Sequence, residues 1–243
     1  MKLVIKLLLI TTAIGCLFIY PNEAKAEQTL IDLTFESQEA GQPPATENFQ
    51  MDSINHTLES AATTDSNRLE VVKDAPSFPG KSLRFIKGSD EPRTPTAVLV
   101  NKPDLATSGK IRFTWEASLD SFTPSERFPG FEALLTFVLM DRFGKPVFNF
   151  YYLVGKDQES GSFGYGDQKS DTWHLGEKHA FEVTLDLDKS SASLKIDGAD
   201  VASDISVPAT GGLRVVQFSD GAGLAFYGSR FTATISNFKM IQL

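Results

Sequence analysis

From Phe181 onward the apolar residues Phe181, Val183, Leu185 and Leu187 alternate with Glu182, Thr184, Asp186 and Asp188. A period of two belongs to a strand with one wet face. After a turn at Ser190-Ser191, Ala192, Leu194 and Ile196 alternate with Ser193 and Lys195, and Asp197-Gly198 has the chemistry of a further tight turn. The block KHAFEVTLDLDKSSASLKIDG is therefore expected to be a hairpin. Its carboxylates, Asp186 and Asp188, point to water, and its acids and lysines are cross-strand solubility pairs.

The same period governs the rest of the chain. Leu30 to Phe35, Leu69 to Val72, Ser82 to Ile86, Ala97 to Val100, Lys110 to Leu119, Ala133 to Met140, Val147 to Val154, Leu213 to Phe218 and Phe231 to Leu243 all read as strands. Clusters such as Pro76 to Gly80, Ser108-Gly109, Gly144 to Pro146 and Gly211-Gly212 separate them, and no segment sustains a helical period beyond a few turns. The fold class expected is all-β, a two-sheet antiparallel sandwich. Burial is graded by how far alternation is lost. ALLTFVLM (Ala133 to Met140) is apolar at nearly every position, as in a central strand covered on both faces, and the DRFGKP turn leads into its hairpin partner VFNFYYLV. IRFTWEASL (Ile111 to Leu119) alternates, so it shows one face to solvent or to a ligand groove.

Compartment is read from the first residues. A basic start at Lys2, an apolar stretch from Leu3 to Tyr20 and the tripeptide Ala24-Lys25-Ala26 form a signal peptide over residues 1–26, cut before Glu27. A membrane anchor needs about 20 cleanly apolar residues, which this stretch does not supply. Ala13-Ile14-Gly15-Cys16 loosely matches a lipoprotein acylation box, a less favoured alternative because the apolar segment continues past Cys16. Cys16 is the one cysteine of the chain, so the expected mature protein, residues 27–243, uses neither disulfides nor thiols. That length suits a single β domain. The formal charge is −8 for all 243 residues, and it becomes more negative once Lys2, Lys6 and Lys25 leave with Glu23. Nucleic acid and anionic lipid are excluded as expected partners on that balance, and no membrane span is expected.

The order of elements resembles a known superfamily. LIDLTFES with the following Gly41 and Pro43-Pro44, the GKSLRF strand, the TWHLGEKHAFEVTLDLDKSSASLKIDG block and the closing FTATISNFKMIQL together are similar to the concanavalin A-like lectin/glucanase superfamily in its laminin-G-like form. The resemblance spans nearly all of residues 27–243 and lies in strands and turns. It implies a jelly-roll sandwich whose first and last strands lie side by side in one sheet. It also implies a "Trp, strand, turn, strand, Asp-Gly" unit, filled here by Trp173, Phe181 to Leu187, Ser193 to Ile196 and Asp197-Gly198. Laminin-G-like domains often hold calcium at a loop rim, and Asp141, Asp157, Asp167 and Asp220 lie in or beside loops, with no set among them singled out.

Catalytic strings of that superfamily are missing. There is no E-x-D-x-x-E of the laminarinase-like hydrolases, no R-x-E-x-R or Gln-x-His of the jelly-roll lyases, and no G-x-S-x-G elbow. His56, His174 and His179 do not share a ligating pattern, which argues against zinc. Sugar binding needs exposed rings with amide or carboxylate partners. Tyr151 shares a strand face with Asn149, opposite Phe150 and Tyr152; Tyr165 lies in the glycine-rich SGSFGYGD segment, read as a surface loop; Trp173 precedes the hairpin. Tyr151, Trp173 and Tyr165, with Asn149 and Asp167 as polar partners, form the expected carbohydrate platform, although each ring also suits a half-buried core. The function expected is noncatalytic binding of a polysaccharide or other glycan by an exported protein, periplasmic or extracellular. A divergent hydrolase or lyase and an adhesive module are the alternatives.

Overall fold

The computed structural model describes residues 27–44, 66–89, 96–124, 133–155, 157–219 and 230–243. They form fourteen strands and no helix, in two antiparallel sheets: a jelly-roll sandwich, as the strand pattern leads one to expect. The expected signal peptide (residues 1–26), Cys16, His56 and Asp220 lie outside these residues.

The eight-stranded sheet runs in the order β12 (Ala199–Ser206), β11 (Ser191–Ile196), β10 (His179–Asp186), β5 (Lys110–Thr123), β14 (Arg230–Gln242), β3 (Phe78–Lys87), β2 (Asn67–Ala75). One flank of β14 is shared: its first half pairs with β3, and its second half pairs with β1 (Gln28–Leu33), from Gln28 opposite Gln242 to Leu33 opposite Phe238. The first and last described strands are thus neighbours in one sheet. The six-stranded sheet runs β4 (Thr96–Ala106), β13 (Leu213–Ser219), β6 (Ala133–Asp141), β7 (Pro146–Val154), β8 (Ser160–Tyr165), β9 (Gln168–His174).

Alternation decides which side chains meet between the sheets. Ile111, Phe113, Trp115 and Ala117 of β5 and Phe181, Val183 and Leu185 of β10 are buried, while their neighbours Arg112, Thr114, Glu116 and Glu182 stay partly wet. Trp115 lies at the centre of the core. It stacks on Phe181 of its own sheet at 5.2 Å and meets Phe137, Phe150 and Phe218 of the facing sheet at 4.5, 5.8 and 5.7 Å. Tilted and edge-on contacts of this kind add about 0.5–1.5 kcal/mol each beyond the area they bury. In β6 every residue from Leu134 to Leu139 is buried, Thr136 and Val138 on the outer face included, as its unbroken apolar run requires.

The block that opened the sequence reading is a hairpin, with Glu182 opposite Lys195 and Asp186 opposite Ser191. Asp197 (φ 52°) and Gly198 (φ 80°) make the two-residue turn into β12, the pair of positive φ angles that such turns demand. One detail is corrected. Asp186 is buried rather than out in water, its Oδ1 folding back to accept the Lys189 N–H at 3.0 Å and close the turn, whereas Asp188 is exposed as expected and accepts the Gly109 N–H at 3.1 Å.

Three strands escape the sequence reading: β8, β9 and β12. The SGSFGYGD segment is not a surface loop. Ser160–Tyr165 is a strand paired on both sides, and Gly166 and Asp167 form the turn to β9.

Candidate functional site

Two glycines of β8 determine where two aromatic rings go. Gly161 stands opposite Trp173 of β9, and a Cβ placed on it would lie 2.6 Å from the indole Cζ2 and strike the Leu153 carbonyl. The missing side chain makes room for Trp173 to turn inward. There it is fully buried, packs on Tyr152 at 5.6 Å and donates its Nε1–H to the Ser162 carbonyl at 3.1 Å. Tyr165 at the end of the same strand is also in the core. These two rings are removed from the expected platform: both lie on the face of the six-stranded sheet that packs against the other sheet, where a sugar has no access.

Gly164 works on the opposite face. It pairs with Tyr151 of β7 on one side and with Lys169 of β9 on the other. A Cβ on Gly164 would clash with the Tyr151 ring, 2.7 Å from Cζ. Tyr151 therefore lies across the glycine on the outside of the six-stranded sheet, half-buried, with its hydroxyl aimed at the Gly166 carbonyl at 3.5 Å. Such cover of a strand glycine by a cross-strand ring also stabilises the pairing itself. Asn149, two residues back on the same face, has its Oδ1 closed off from solvent and without a hydrogen-bond partner. Asp167 is exposed in the turn beside Gly166.

Of the five expected residues, the fold brings together Tyr151 and Asn149, with Asp167 at the turn next to the tyrosine hydroxyl. It adds Gly164, Lys169, Ser162 and Thr172, which face the same side through the β7–β8–β9 register. Sequence reasoning missed these four because it did not recognise β8 and β9 as strands. The Thr172-Trp173 pair is the one β-favouring signal in β9 that could have revealed it.

Two of the carboxylates considered for calcium, those of Asp141 and Asp157, are committed to turns. Asp141 Oδ1 accepts the N–H groups of Phe143 and Lys145 at 2.8 and 2.9 Å. Asp157 accepts the Ser160 hydroxyl at 2.7 Å and the Ser160 and Glu159 N–H groups at 3.1 and 3.2 Å, and these bonds, the hydroxyl first, hold its pKa below the ordinary value. Among the described residues no three His, Cys, Asp or Glu side chains converge as a metal site. His179 is buried, its Nδ1 2.7 Å from Asp197 Oδ2 and its ring edge-on to Phe163 at 5.2 Å, while His174 is exposed at the end of β9. The two histidines share no site.

Comparison with solved structures places this architecture. The catalytic domain of a glycoside hydrolase family 131 protein from Coprinopsis cinerea superposes with a TM-score of 0.52 at 9% identity, over 88% of this chain and 94% of that one. The fold shared with that domain is a two-sheet jelly-roll sandwich. An alginate lyase of polysaccharide lyase family 7 matches over 87% of this chain and 94% of its own, with a TM-score of 0.43 and 10% identity. A sialidase matches over 71% of this chain at a TM-score of 0.49 and 11% identity, and the chain spans 16% of that protein's length. These neighbours of the jelly roll act on carbohydrates. No protein-family model matches the sequence, and no curated protein does.

Proposed function

We propose that the chain is an exported glycan-binding protein, acting in the periplasm or outside the cell, that holds its ligand against the outer face of the six-stranded sheet without cleaving it. One observation carries this reading: Tyr151 is laid across Gly164 on that face, so a broad apolar ring with a hydroxyl at its edge is fixed in place rather than free to rotate. A pyranose presents apolar C–H faces to such a ring. Lys169, Ser162 and Thr172 share that face through the β7–β8–β9 register and carry the donors and acceptors that hydroxyl groups need. The carbohydrate chemistry of the proteins that share the fold supports the ligand class, and the leader-like first residues support export.

A glycan array followed by reducing-end release assays on each positive polysaccharide tests the reading. Tyr151→Ala is expected to weaken retention by about 5- to 30-fold, the equivalent of 1–2 kcal/mol of lost stacking. Gly164→Val, which displaces the ring, should do the same. Trp173→Ala is the contrasting variant: it acts through the core, lowering stability by about 3–5 kcal/mol, and its retention falls only as the fold does. Unchanged retention in Tyr151→Ala, or release of reducing ends, overturns the proposal.

A further inference from the structure

The outer face of the eight-stranded sheet, on the far side of the molecule from Tyr151, contains a hollow whose open surface is more apolar than polar, with charged side chains around it. It arises from a gap in a row of long side chains. Lys195 of β11, Glu182 of β10, Thr114 of β5, Lys239 of β14 and Asp32 of β1 are successive cross-strand partners. Thr114 is the short member, between a glutamate and a lysine. In the next row Glu116 has the small Ala180 on one side and Ser236 on the other. Beyond Ser236 the register of β14 shifts, with Asn237 in the left-handed region at φ 52°, so the strand bulges and its amide turns to the same hollow. The pocket that results has a volume of about 310 Å³, the low end of the range for small-molecule sites. Thr114, Glu116, Glu182, Lys195, Asn237 and Lys239 supply its polar wall, and Ala180 and Gly198 leave it open.

Charge decides what can enter. Glu116 accepts from Asn237 Nδ2 at 2.9 Å, Ser236 Oγ at 3.1 Å and Lys178 Nζ at 3.3 Å. Lys195 is 3.9 Å from Glu182 and 3.6 Å from Asp200, and Lys239 is 3.1 Å from Asp32. Every ion in the wall already faces an opposite charge. An anionic or cationic ligand would have to separate one of these pairs. A neutral polyol need not, because each carboxylate has spare lone pairs and each ammonium has three donors. A hydroxyl is donor and acceptor at once, and vicinal hydroxyls set between Glu182 and Lys239 can serve both.

We infer that this hollow is a second binding site, for one neutral sugar unit, and that the chain presents carbohydrate sites on two opposite faces. The inference shares its ligand class with the function proposed above and none of its residues. Isotope-labelled protein titrated with methyl glucoside, methyl galactoside and methyl mannoside tests it, read at the backbone amides of Thr114, Ala180, Gly198 and Asn237. At least one glycoside should shift these four amides together, saturating with a Kd of about 1–10 mM, as expected for a shallow site contacting a single small ring. Glucuronate and glucosamine should shift them less. Thr114→Trp, which fills the gap in the row, should abolish the shifts while the rest of the spectrum stays folded, and Tyr151→Ala should leave them intact. No shift with any of the three glycosides, larger shifts with the charged sugars, or shifts that survive Thr114→Trp or vanish in Tyr151→Ala would each overturn the second site. None of these outcomes bears on retention at Tyr151, which is measured separately.

Discussion

Tyr152 shows how much depends on a single side chain between the sheets. It alternates with Tyr151 on β7, yet points the other way, into the core, where its hydroxyl donates to the Ala117 carbonyl across the sandwich at 3.3 Å. Burial raises its pKa well above that of an ordinary phenol, and the negative charges of Asp120, Asp197 and Glu177 raise it further. The unfolded chain releases this proton near pH 10, whereas the folded chain keeps it. The stabilisation is therefore complete below about pH 10 and declines as pH rises toward the folded-state value, by up to about 1.4 kcal/mol per pH unit. Tyr152→Phe should lose about 1 kcal/mol at neutral pH with its hydrogen bond and should show a shallower alkaline decline. Urea midpoints collected from neutral pH to about pH 11 check this; parallel curves for the two proteins would mean that the phenol ionises alike in both states.

Among the elements, β8 carries most of what the sequence concealed. β5, β10 and β11 announce themselves by alternation and β6 by its unbroken apolar run, because in those strands hydrophobic burial writes directly into residue type. In β8 the requirement is for absence: Gly161 must admit the indole and Gly164 the phenol, so the strand reads as a flexible segment although it is paired on both sides. β12, with its ADVASDIS sequence, is an edge strand that buries only Ile205 in the core, and β9 at the other sheet's edge is mostly polar around Trp173; neither offers a sustained pattern for burial to mark. The same concealment split the candidate site. Tyr151 and Asn149 were legible from the alternation of β7, while the inward turn of Trp173 and Tyr165 depends on pairings that no spacing reveals. Gly161→Ala is the direct test. An alanine in place of a strand glycine ordinarily gains about 0.5–1 kcal/mol, but here the methyl group meets the Leu153 carbonyl and the Trp173 ring. A net loss of about 1–3 kcal/mol is expected, read from thermal or urea unfolding, and a gain would show that β9 can give way.

At the scale of the whole molecule, stability rests on packing between the two sheets. Residues 27–243 contain no cysteine, so no disulfide within them can constrain the unfolded chain. The melting temperature of this part of the chain should be the same with and without a thiol reductant, and a drop on reduction would reveal a covalent link that the sequence does not provide. Order is instead imposed by the seam in which Gln28–Leu33 lies along the second half of Arg230–Gln242. Pairings between segments so far apart in the chain are slow to form, and ribosomes deliver the amino-terminal partner first. Until the carboxy-terminal partner is delivered, the first strand has nothing to zip onto. Closing that seam is therefore among the last steps open to a growing chain, while a local hairpin such as β10–β11 has both its strands in hand well before it.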